Sequence, residues 1–295
     1  MNRRAVGLID LLVSIAIVAI LMGLLLGAIQ RVRATATRIQ CANRMKQQAL
    51  ALHLFHDSEG HFPNSMNSGN GPRPNLSWRA KILPYLEQTA SANESNAAFS
   101  AQDSPYFPKP HPALGRVMPA FSCPADDRTS TAWTLPMHQK LGPIAMSSYL
   151  GVSGTASHLR DGVLFGSSKT ELVHITDGTS QTLLIGERPP SVDLIFAWWY
   201  AGYGLDGGGK LEHHMGVVER RRGAAYHGCG EGPYAFGPGD FKQHCDAFHY
   251  WSPHIGGANF AFADGSIHFL RYSAAAAVLP ALATRAGGET VGDFE

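Results

Sequence analysis

Charged side chains are scarce in this 295-residue chain, at 16% against about 25% for an average soluble protein. The net charge is +1, so the surface carries no basic footprint for nucleic acid. The sequence holds no G-x-S-x-G, no H-E-x-x-H and no phosphate-binding loop. The commonest nucleophilic, zinc-hydrolase and nucleotide chemistries therefore have no starting point, and the expectation is a protein that is not an enzyme and needs no cofactor. No internal repeat is visible.

One stretch lacks charge altogether. Leu11 to Ile29 is 19 residues long with Ser14 as its single polar side chain. At about 1.5 Å per residue such a helix crosses the roughly 30 Å hydrocarbon core of a bilayer. Proline and glycine are missing from Ala28 to Ser58, so nothing stops the helix there. Ile39, Ala42, Met45, Ala49 and Leu52 recur at helical spacing between Arg38, Arg44, Lys46 and Gln47. The pattern predicts one helix of about 50 residues, roughly 75 Å long, apolar all round at first and amphipathic afterwards. Gly60 and Pro63 end it.

What precedes the apolar run is Arg3-Arg4-Ala5-Val6-Gly7-Leu8-Ile9-Asp10. An acid at the mouth of a lipid-compatible helix needs a partner or a polar interface. An ordinary signal anchor puts Asp10 at headgroup level. A secretory cut after Ala34-Thr35-Ala36 is the other conventional reading, although the apolar region is long for a signal peptide. Arg31, Arg33 and Arg38 balance Arg3 and Arg4 across the span, so charge counting leaves the orientation open.

This N-terminus resembles the leader of type IV pilins and type II secretion pseudopilins. In that family a basic leader ends in glycine, and the mature chain starts with a hydrophobic residue and carries glutamate at its fifth position. Laid on this sequence, the leader ends at Ala5, the mature chain begins at Val6, and the fifth residue is Asp10. Alanine, valine and aspartate stand where the pattern has glycine, phenylalanine and glutamate. The resemblance implies cleavage by a prepilin peptidase and a Val6 α-ammonium neutralised by Asp10 of a neighbouring copy, a pairing that removes a cost either charge alone carries in low dielectric. It also implies self-association with other pilin-like subunits and a head domain outside the cytoplasmic membrane.

Residues 58–295 read as that head. Asn64 to Ser77 is an exposed loop, Trp78 to Glu87 a short helix broken near Pro84, and Ser91 to Val117 a loop with a helical turn. Strands are expected at Phe121–Asp126, Ser147–Val152, Gly162–Phe165 and Thr182–Glu187, with Asp161-Gly162 and Asp177-Gly178 as turns. Asp193 to Gly257 is rich in glycine, aromatics and histidine and has little periodicity; it reads as decorated loops. Asn259–Ala263 and Ser266–Phe269 alternate about Asp264-Gly265, which predicts a hairpin with a two-residue turn pairing Phe262 with Ile267 and Phe260 with Phe269. Pro280 is expected to open a last short helix through Arg285.

His254, nine residues, then Asp264-Gly265 is similar to the H-X9-DG motif of a large prepilin-like family best known from planctomycetes, a domain of unknown function (number 1559). The resemblance extends to Cys41–Gln47 (CANRMKQ), His53 with Gly60 and Phe62-Pro63, and Cys123-Pro124-Ala125-Asp126. It continues through Ile175–Ser180 (ITDGTS), Gly186-Glu187 and Leu282–Glu289 (LATRAGGE). It implies export, an anchored pilin-like α+β build and no established activity. The functional expectation is a non-enzymatic subunit or minor component of a pilus- or pseudopilus-type assembly. The alternative is a singly anchored binding protein for an extracellular ligand or glycan that does not polymerise, and a third reading is an extracellular hydrolase.

Cys41, Cys123, Cys229 and Cys245 admit three disulfide pairings, of which Cys41 with Cys123 and Cys229 with Cys245 is favoured because the second closes a short Gly/Pro-rich loop. Seven of the 14 histidines fall between His213 and His268. His227-Gly228-Cys229 and His244-Cys245 offer zinc ligands, yet neither has the spacing of a zinc knuckle and exported thiols oxidise, so the expectation is no metal. Asp206–Gly209 offers no alternating run of calcium ligands. His254, Asp264, Gly265, Asp177 and Gly178 read as structural, with Asp264 and Asp177 shaping turns. Trp198, Trp199, Tyr200, Tyr203, Tyr226 and Tyr234 read as packing aromatics before they read as a glycan-stacking surface.

Overall fold

A computed structural model describes residues 7–67, 69–203, 210–221, 225–289 and 291. Arg3, Arg4, Ala5 and Val6 lie outside the described residues, as do Asp206–Gly209 and the side chain of Asp10. The protein is α+β, with a long N-terminal apolar helix and a mostly antiparallel sheet.

Helix α1 runs without interruption over Leu8–Glu59, 52 residues. The chain divides into two compact units, one up to Ile39 and one from Gln40 onward. In the first, every large apolar side chain from Leu8 to Ile29 is between 51% and 77% exposed. The sole polar side chain of the span, Ser14, donates its hydroxyl back to Leu11 O at 2.8 Å, which leaves no unsatisfied donor facing the surroundings. By length and composition this helix is able to cross a membrane.

In the second unit α1 becomes a core element. Cys41, Met45, Gln48, Ala49, Ala51 and Leu52 are fully buried. The stripe starts later than periodicity suggests, because Ile39 is 51% exposed. Gly60, at φ +78°, accepts the left-handed conformation that stops the helix.

Among the described residues the remaining α-helices are α2 (Trp78–Lys81), α3 (Thr89–Ala101), α4 (Lys210–His213) and α5 (Tyr272–Ala283), with short 3₁₀ turns between them. Ser77 caps α2, accepting from Ala80 N. Helix α3 is longer than the single helical turn expected within the loop from Ser91 to Val117; its residues are mostly small and polar, and it gains burial only through Ala92, Phe99 and two serines, Ser91 and Ser95. Helix α5 starts at Tyr272, so Pro280 lies inside it rather than at its start.

The strands are β1 (Trp133–Thr134), β2 (Pro143–Ile144), β3 (Tyr149–Val152), β4 (Leu183–Glu187), β5 (His214–Met215), β6 (Val218–Glu219), β7 (Tyr234–Ala235), β8 (Gly257–Phe262) and β9 (Ile267–Arg271). Pairs β1–β2 and β6–β7 stand alone, while the main sheet has the order β5-β3-β4-β8-β9, antiparallel except where β5 joins β3. Phe121–Asp126, the end of a 3₁₀ helix followed by a turn, and Gly162–Phe165, a bend, form no strands. Alternate residues of the same strands feed two separate cores. Tyr149, Ile185 and Ala261 join the cluster that contains Cys41, Met45 and Leu52 of α1, whereas Leu150, Phe260 and Phe262 join the cluster containing Leu279 and Leu282 of α5. The sheet is thus apolar on both faces, as a covered sheet must be.

The β8–β9 hairpin has a three-residue loop. Ala261 faces Ile267 and Phe260 faces His268, one step away from the expected register. Gly265 donates its N–H to Phe262 O at 2.9 Å and sits at φ +82°. A type I turn followed by a left-handed glycine adds one residue to a two-residue loop, and that slip changes every cross-strand partner.

Candidate functional site

Four residues from the motifs quoted above, Cys41, Cys123, Glu187 and His254, meet between α1 and the sheet. Cys41 on α1 and Cys123 form a disulfide with Cα atoms 5.1 Å apart. Glu187 ends β4, and both its oxygens are held by Asn259, Oε2 by the backbone N–H at 2.7 Å and Oε1 by the side-chain amide at 2.9 Å. His254 precedes β8 in a loop closed locally, where Ser252 Oγ accepts from His254 N and donates to Gly257 O. This loop aims His254 Nε2 at Glu187 Oε1, 3.4 Å away, and at Cys123 Sγ, 3.6 Å away. The hydrogen bond of Nε2 is to the disulfide sulfur, which can only accept, and Glu187 Oε1 lies beside it at ion-pair distance. All four side chains are buried, and their ligating atoms fall within 4.8 Å of one another. With the sulfurs bonded to each other, no thiolate remains for a metal. The arrangement is a buried cross-link sheathed by an imidazole and a carboxylate.

Neighbouring residues tie the same elements together. Arg44 and Gln48 of α1 donate to Ser122 O and Ala120 O, each at 2.8 Å, and Lys46 Nζ donates to Gly265 O at 2.7 Å. Tyr149 OH donates to Cys41 O at 3.1 Å; burial raises that phenol well above its ordinary range. At Gly186 an added Cβ would lie 2.5 Å from the Phe260 ring and 2.6 Å from the Tyr250 ring, so only glycine fits.

His254 and Asp264 stand at opposite ends of β8. Asp264 Oδ1 accepts from Ser266 N and Ser266 Oγ across the turn, at 2.8 and 2.7 Å. Asp177 accepts from Gly287 N at 2.7 Å, Gly288 N at 2.9 Å and Thr284 Oγ1 at 3.1 Å. Burial raises the Asp177 carboxyl, but these donors outweigh it and hold it below the ordinary carboxylate value. Gly178 takes φ +97° beside it.

A second cluster lies in the histidine-rich stretch. Cys229 and Cys245 are joined, which removes the thiolates from any zinc reading of His227-Gly228-Cys229. The disulfide instead stacks the His227 and His244 rings at 3.7 Å. The third member is Asp193, whose Oδ2 lies 3.0 Å from His227 Nε2. Sequence reasoning missed Asp193 because it is 34 residues from His227 and no local pattern marks it.

Other histidines take packing roles. His213 is fully buried; burial first, then Arg79 and His214, push its imidazole well below the ordinary value. Trp198, Trp199 and Tyr200 are buried, so those three aromatics belong to the core and offer no stacking surface. Trp199 stacks on Phe121, and its indole N–H donates to Arg116 O at 2.8 Å.

A family model described as "Protein of unknown function (DUF1559)" matches residues 30–277. No curated protein and no solved structure matches the chain.

Proposed function

The chain belongs to the DUF1559 family, and on that premise we propose that it is a pilin- or pseudopilin-like subunit, or minor component, of an envelope assembly. The observation that supports the reading is the first half of α1, where large apolar side chains are exposed on every side from Leu8 to Ile29. Such a surface is stable in lipid or against other apolar helices, and a single helix of this kind fits a single-pass anchor. In this reading the helix sits in the cytoplasmic membrane with the head outside. A prepilin peptidase cuts between Ala5 and Val6, and Asp10 neutralises the new α-ammonium of a neighbouring copy. Two disulfides agree with an oxidising compartment for the head. We read the head as non-enzymatic: the motif residues His254, Glu187, Asp177 and Asp264 are engaged in packing and turn formation.

The test is the N-terminal residue of protein isolated from its native envelope, determined by mass spectrometry of the terminal peptide. A chain starting at Val6 supports assembly. Asp10→Ala is then expected to reduce cross-linked, sedimenting oligomers while membrane insertion persists. A start at Met1 or Asn2 overturns the assembly reading and leaves an anchored binding protein.

A further inference from the structure

We propose that Asp193, His227 and His244 form a three-ligand site for a divalent transition-metal ion of the zinc class. Each residue offers one ligand atom, and the three atoms lie within 4.8 Å of one another. Two imidazoles and a carboxylate suit zinc and its neighbours in the first transition row, and three protein ligands leave a position for water.

The carboxylate is oriented for this task. Tyr226 OH and Ser191 Oγ each donate to Asp193 Oδ1 at 2.8 Å, and Ile195 N donates to the same oxygen at 3.3 Å. Oδ2 is left facing His227 Nε2 at 3.0 Å. Two ligand atoms bound tetrahedrally to one zinc at about 2.0–2.1 Å stand roughly 3.3–3.4 Å apart, so this pair, now at hydrogen-bond distance, has to open by only about 0.3–0.4 Å to become neighbouring ligands. Outer hydrogen bonds that fix a ligating carboxylate are a regular feature of metal sites.

The histidines are brought together by the covalent frame. His227 lies two residues before Cys229 and His244 immediately before Cys245, and those cysteines are bonded to each other. His227 is held at φ +43°, in the left-handed region that non-glycine residues avoid. Strain of this kind persists where surrounding structure over-determines it, and it concentrates at functional sites. His244 Nδ1 is buried without a hydrogen-bond partner, which native interiors rarely allow. Parallel rings 3.7 Å apart do not aim both lone pairs at one ion, so binding requires the His244 ring to turn. That ring has no hydrogen bond at Nδ1 to break; turning it gives up the stack on His227 and the edge contact with Tyr226, and coordination supplies the missing partner.

The experiment is titration of metal-stripped full-length protein in detergent with ZnCl2 by calorimetry, and with Co²⁺ followed by its visible absorption. One equivalent is expected, and His244→Ala and Asp193→Asn should each weaken binding at least roughly ten-fold. His249→Ala, at a different His–Asp contact of 3.0 Å, should leave binding unchanged. Where a variant does not fold, imidazole ¹⁵N spectra of the wild-type protein decide: saturating Zn²⁺ must shift His227 and His244. No zinc binding, binding that His244→Ala does not weaken, or unshifted imidazoles would overturn the assignment.

Discussion

His254 Nε2 lies 3.4 Å from Glu187 Oε1 and 3.6 Å from Cys123 Sγ, so one imidazole bridges the end of β4 and the disulfide that staples α1 to the head. Side chains at 5% and 2% exposure have no water to replace a lost partner. His254→Ala is expected to destabilise the protein by about 1–3 kcal/mol. Glu187→Ala should cost more, about 3 kcal/mol or above, because it also orphans both Asn259 donors. Guanidinium unfolding with the disulfides intact measures the order; equal stabilities for wild type and Glu187→Ala would refute the buried-network account.

The two disulfides should differ in weight. Cys41–Cys123 joins residues 82 apart and Cys229–Cys245 residues 16 apart. If each acts by restricting the unfolded chain, removing the first by a double alanine replacement costs about 4.5 kcal/mol and removing the second about 3 kcal/mol. Unfolding midpoints of the two double variants check the ranking. A larger loss from the second pair would show that it contributes through native contacts around His227 and His244.

Stability should fall on acidification in two stages. His213 is pushed well below its ordinary value of 6.5, so the unfolded chain takes a proton that the folded one refuses. Its contribution is complete at neutral pH and is lost as pH drops below about 6.5. Asp177 is held below its ordinary 3.8, so its contribution is present above that value and lost as pH falls through it. Equilibrium unfolding at stepped pH measures both, and His213→Gln should reduce the slope of the upper stage, to which His53, His111 and His138, also held below the ordinary value by burial, contribute the rest. An unchanged slope in that variant would assign the upper stage to another group.

Legibility along the chain followed the range of the forces involved. The apolar run, the uninterrupted α1, strands β3 and β4 and the existence of the β8–β9 hairpin are written in neighbouring residues, and all were readable. Helix α3 was readable only as a single turn, because its Thr-Ala-Ser-Ala-Asn sequence has no apolar stripe and its burial comes from Tyr200 and His111, whose side chains meet Ser95 and Phe99. The hairpin register was missed by one step because Asp264-Gly265 serves equally as a two-residue turn or as the end of a three-residue loop. Its resolution comes from Lys46 and Thr179 bonding the turn from outside.

Taken alone, the order of residues determined the long helix and its division into an apolar half and an amphipathic half, since helical periodicity and the absence of charge, proline and glycine are local properties. It also narrowed four cysteines to three pairings. Tertiary structure alone decided that Cys41, Cys123, Glu187 and His254 meet in one buried cluster, and that Asp193 stands beside His227 and His244. These contacts join residues separated by tens of positions, and their geometry depends on strand register and on the two covalent cross-links, which no local pattern encodes.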